Sequence, residues 1–194
     1  MMQQIKTVTR SLSIALLLCI TPLHAQEDRI QTVLDAPPSP IPLVKTLGQQ
    51  TFDDAMATGK YHYVGNTKCR LCHREFFIGR KKDLHDFALE KVIELGHGDN
   101  PRCLNCHTTG YGINTGFTSM EETPRLANVQ CEGCHGPGSV HVKRRDAGGF
   151  LAGTDRPDLI HKMCLSCHNK LWNRSFHMDD FEETYKKYRS PTPK

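Results

Sequence analysis

The chain has 194 residues, with 25 Lys and Arg against 21 Asp and Glu and a formal net charge of +4 at pH 7. Lys6 and Arg10 fall in a stretch that reads as a leader; without them 23 basic residues face 21 acidic ones, too even a balance for a nucleic-acid-binding surface. Only 38% of residues are hydrophobic and 7% aromatic, so the polypeptide alone has little apolar surface from which to build a core.

Residues 1–25 have the form of an export signal: the basic start, a short apolar run from Leu12 to Ile20, and Leu23-His24-Ala25 as a small-residue cleavage site before Gln26. The run is too short to span a bilayer. Cys19 lies inside it, but Leu18 before it departs from a lipid-attachment signal, so removal is expected, with an uncleaved anchor as the bland alternative. After cleavage no transmembrane segment is left. The expected product is an exported chain, periplasmic first, extracellular or outer-surface as the alternative.

Residues 26–60 are expected to form a proline-rich arm. Asp35-Ala36-Pro37-Pro38-Ser39-Pro40-Ile41-Pro42 suits neither a helix nor a central strand. The arm reads as a loose tether or as a segment that docks on a second copy.

Residues 61–194 are the expected domain, of ordinary size for one core. Four C-x-x-C-H motifs organise it: Cys69, Cys72 and His73; Cys103, Cys106 and His107; Cys131, Cys134 and His135; Cys164, Cys167 and His168. Eight of the nine cysteines are in these motifs. The pattern is that of c-type haem attachment, in which both thiols become thioethers and the adjacent histidine binds iron. Two four-cysteine zinc sites are the structural rival, yet zinc gives no reason for a histidine after each second cysteine, and neither does a disulfide framework. Four covalent haem c groups are therefore expected, and they supply the missing apolar surface; haem-free chain is expected not to fold. With two propionates against one positive iron-porphyrin each, they move the exported chain to about −2. Arg80-Lys81-Lys82 and Lys143-Arg144-Arg145 then read as propionate neighbours or solvated faces.

After the first motif, residues 74–95 carry Phe76, Phe77, Leu84, Phe87, Ala88, Val92 and Leu95 at helical intervals and stop at Gly96. His85 stands twelve residues after His73. On one helix that is about 18 Å along the axis and about 120° around it, so the two cannot share an iron, and His85 reads as a ligand of another haem. The second motif runs into Thr108-Thr109-Gly110-Tyr111-Gly112-Ile113-Asn114-Thr115-Gly116, a loop in which helix is not expected. Gly136-Pro137-Gly138 breaks the third motif and turns His141 away from the haem of His135, toward a neighbour. A helix beginning near Asp155 with Pro157 in its first turn carries the fourth motif. Ser175 to Tyr188 reads as a last helix, acidic early and basic late, with His177 at its start as a candidate axial ligand. His161, His97 and His62 are spare histidines; Met120, Met163 and Met178 read as packing.

From Val64-Gly65 and the His85 helix, through Cys103 to His107 with Gly110-Tyr111-Gly112 and Cys131 to Gly138, to Cys164 through Asn169, the sequence resembles the tetrahaem cytochrome c-554 family. The resemblance covers most of residues 61–180. It implies a mainly helical fold with extensive irregular loops, compact around closely stacked haems, and a role as electron carrier between periplasmic or membrane-bound redox proteins. It also implies His141 as distal ligand to the haem of His73, His85 to that of His168, and His177 to that of His135. In the family's namesake the second-motif haem is five-coordinate; here His161 and His97 are candidates to fill that position. Electron transfer without catalysis is the expected function. Two alternatives stay open: a haem filament joined through the arm by self-association, and reduction of small nitrogen species at an open iron beside His107.

Overall fold

A computed structural model describes residues 28, 30–32, 34–36, 41–79, 83–144, 150 and 157–172. The chain divides into two compact units, Met1–Pro37 and Pro38–Lys194, and the motifs all lie in the second. In the first unit the described residues between 28 and 35 are helical.

The second unit is short helices and irregular turns; among the described residues there is no strand, only an isolated antiparallel bridge between Thr108 and Ala127. Helix α1 (Pro42–Leu47) starts on proline, whose missing N–H is harmless in a first turn. Gly48, at φ +85°, ends α1 and starts α2 (Gln49–Ala57). Leu43 and Phe52 are buried, and α1 packs on α9 (Pro157–Cys167). From residue 41 onward the arm reading is thus corrected. Proline at the N-terminus of a helix and proline in a tether look alike in sequence, and burial of Leu43 and Phe52 decides between them, at about 2 kcal/mol each.

The helix expected over 74–95 is also corrected. It is interrupted: α4 (Arg74–Gly79), then a 3-10 turn (Leu84–Phe87), then α5 (Ala88–Glu94). Asp83 breaks the run because its side chain accepts from the N–H of His85 and so caps a new helical start. Gly96, at φ +77°, ends α5 with its N–H on Ile93 O, as the stop signal indicated.

The remaining elements carry the motifs: α3 (Asn66–Arg70), α6 (Pro101–His107), α7 (Cys131–His135), α8 (Ser139–Lys143) and α9. Leu89, Leu104, Ile113, Phe117, Leu126 and Met163 join Leu43, Phe52 and Tyr63 in one core beneath them. Among the described residues no helix is long and apolar enough to cross a membrane. The leader, Cys19, Arg80-Lys81-Lys82, His177, Met178 and the expected 175–188 helix lie outside the described residues.

Candidate haem-attachment and axial-ligand sites

Each motif takes a helical turn. His73 N–H bonds Cys69 O at 3.0 Å and His168 N–H bonds Cys164 O at 2.8 Å, while the second and third motifs lie within α6 and α7. In such a turn residues three and four apart share a face, so both thiols and the imidazole point the same way. None of the eight motif cysteines is in a disulfide.

The motifs meet in two pairs. Cys69 S–H donates to the Cys131 sulfur, and that bond, ahead of burial, pushes the Cys69 thiol well up. Cys167 S–H donates to Cys106, which pushes Cys106 down and Cys167 up. The first motif is therefore against the third, and the second against the fourth.

The histidines fall into the same two groups. His73 and His141 face each other with ring centroids 6.0 Å apart and planes 27° apart. His85 and His168 stand 5.8 Å apart with planes at 71°. Two imidazoles that each put a nitrogen on one metal, at about 2 Å, have centroids about 6 Å apart. Burial is the main reason His73 lies below the ordinary histidine value, with His141 adding to it. His168 is pushed down to about 4, by burial first and then by His85 and His107. His135, an exposed residue, is pushed down by desolvation first, then by His73 and His141. His107 is lowered too, by burial and then His85, against a raising hydrogen bond. All four are thus neutral at pH 7, the form that binds metal.

That hydrogen bond fixes a tautomer. His107 Nδ1 donates to Ala88 O at 2.7 Å, which leaves Nε2 as the lone-pair nitrogen. Among the described residues no imidazole is in ring contact with His107. His97 is half-buried after α5 and His161 half-buried in α9. Met163 is buried, with its sulfur 3.7 Å from Thr46 Oγ1, and Met120 is exposed.

Sequence reasoning missed two carboxylates. Glu132, between the cysteines of the third motif, is 2% exposed. It accepts from the N–H groups of Val64 (3.0 Å), Gly65 (2.7 Å) and Gly138 (2.6 Å), and so ties the approach to the first motif to the turn after the third. Asp83 Oδ1 lies 3.2 Å from His85 Nδ1. The C-x-x-C-H pattern treats its two inner positions as free, which hides Glu132; an N-cap reading of Asp83 would have found the other.

The arrangement fits haem c: paired thiols beside neutral imidazoles, and a second imidazole opposite two of them. Among the described residues no three His, Cys, Asp or Glu side chains converge as a metal-ion site.

Residues 68–136 match the family model for cytochrome c554 and c-prime. Cytochrome c-554 of Nitrosomonas europaea is 29% identical over 134 residues, 55% of this chain and 57% of that protein. The multiheme cytochrome MtrA of Shewanella baltica is 26% identical over 177 residues, 88% of this chain and 41% of that protein. The chain thus spans about half the length of the curated relatives it matches. No solved structure gives a significant match.

Proposed function

We propose that the chain, whose residues 68–136 match the cytochrome c554 and c-prime model, is a multihaem c-type cytochrome that carries electrons between redox proteins outside the cytoplasm. The observation that carries this reading is the imidazole pairing, His73 with His141 and His85 with His168.

Four haem c groups would be held by Cys69 and Cys72, Cys103 and Cys106, Cys131 and Cys134, and Cys164 and Cys167, with His73, His107, His135 and His168 as proximal ligands. His141 would face His73, His85 would face His168, and His177 would face His135. Bound haem supplies a one-electron Fe(III)/Fe(II) couple, and imidazole on both faces leaves no position for substrate. The chain's own part is to hold its ligands still. His107 is oriented by Ala88 O, and the approach to the first motif is tied down by Glu132. Rigid placement of this kind keeps reorganisation small when charge arrives or leaves.

A second reading, small-molecule redox chemistry beside His107, is favoured by one observation, the lack of a described imidazole in contact with that ring. Carbon monoxide binding separates the two. The primary test is a haem count by mass spectrometry and pyridine haemochrome on protein matured in a c-type-haem-competent host. Four covalent haems, reducible and reoxidisable without turnover of a substrate, are expected; two or fewer would overturn the assignment.

A further inference from the structure

We propose that Asp83 is a positioning residue that makes the haem ligated by His85 and His168 harder to reduce, through a negative charge held against the outer nitrogen of the His85 ring. The inference rests on the ligation proposed above for His85. The Asp83 side chain is 1% exposed, and its Oδ1 lies 3.2 Å from His85 Nδ1. The same oxygen accepts from the His85 backbone N–H at 2.9 Å, so the carboxylate is pinned beside the ring and cannot swing into solvent.

An imidazole whose Nδ1 faces a carboxylate presents Nε2 to the metal and becomes a stronger electron donor. Stronger donation favours ferric iron and lowers the potential. The cap alone does not call for a charge, because Asn or Ser would cap the 3-10 turn as well. An internal contrast is present: His107 Nδ1 meets the neutral oxygen of Ala88, whereas His85 Nδ1 meets an anion. One chain thus gives two of its histidines outer partners of different charge.

Redox titration of the holoprotein, followed optically and by electron paramagnetic resonance, tests this with Asp83→Asn, and with Asp83→Ser should the amide load haem poorly. Both keep a capping oxygen and remove the charge. The expected result is a positive shift at one haem in four, about a tenfold change in its oxidised-to-reduced ratio at fixed potential, or about 59 mV for one electron. The other three midpoints and the low-spin intensity stay as they were. No shift, or a common shift of all four, would overturn the inference. His85→Ala separates the two layers of the argument. If every haem stays low-spin in that variant, the ligation reading fails; if one opens while Asp83→Asn moves nothing, only the present inference fails.

Discussion

The half of the domain built on the first and third motifs is held by polar bonds, whereas the half built on the second and fourth is held by apolar packing. In the former, one buried carboxylate, Glu132, gathers three backbone N–H groups. Asn66 and Gln130 bond across the same seam, Asn66 N–H to Gln130 Oε1 and Cys131 N–H to Asn66 Oδ1. In the latter, α6 lies against α5 and α9 against α1, with Leu89, Leu104, Leu43 and Met163 buried. Its carboxylate, Asp83, touches an imidazole rather than serving only backbone. Each half is thus vulnerable to a different change: loss of a buried acceptor should hurt the first, loss of volume the second.

Glu132→Ala should have the largest effect. It leaves three donors without their acceptor, at a cost of more than about 3 kcal/mol, read from guanidinium unfolding of the holoprotein. A loss under about 1 kcal/mol would break the comparison. Leu89→Ala, at a side chain 1% exposed, should cost about 3 kcal/mol by the same measurement. It should also loosen the Ala88 O contact that orients His107, so the spectrum of the second half should change and that of the first should not. Acid sharpens the contrast further. His168 is neutral in the fold, the form a ligand needs, whereas in the unfolded chain it takes a proton near the ordinary 6.5. Its contribution to stability is therefore present above 6.5 and is lost as pH falls below it, a profile measurable as unfolding midpoint against pH. The smallest effect belongs to Asn100→Ala, which removes the cap on Arg102 N–H at the start of α6 and should cost about 1 kcal/mol.

The two halves were unequally legible in the sequence. Gly136-Pro137-Gly138 turns the chain between α7 and α8, and Gly136 has the positive φ that such a turn needs. Gly96 as a helix stop and Pro157 in the first turn of α9 were readable by the same local chemistry. The second half depends on residues 41–47, 84–94 and 157–167 meeting, and no local pattern states that meeting. Apolar spacing runs on past Asp83, so periodicity alone favours one helix, and only the capping bond shows two. Pro42 signals a break whether it ends a tether or opens a helix. Glu132 occupies an inner motif position whose burial follows from the return of Val64 and Gly65 from another part of the chain.

The proposed function requires that axial ligands be exchanged between motif regions, His141 to the haem of His73 and His85 to that of His168. Its most direct test is electron paramagnetic resonance of oxidised wild-type, His141→Ala and His85→Ala holoprotein, with the haem count checked for each. Each substitution is predicted to turn one low-spin haem high-spin, a different one in each variant, and the double variant to turn two. Retention of the full low-spin signal in both single variants would contradict the account.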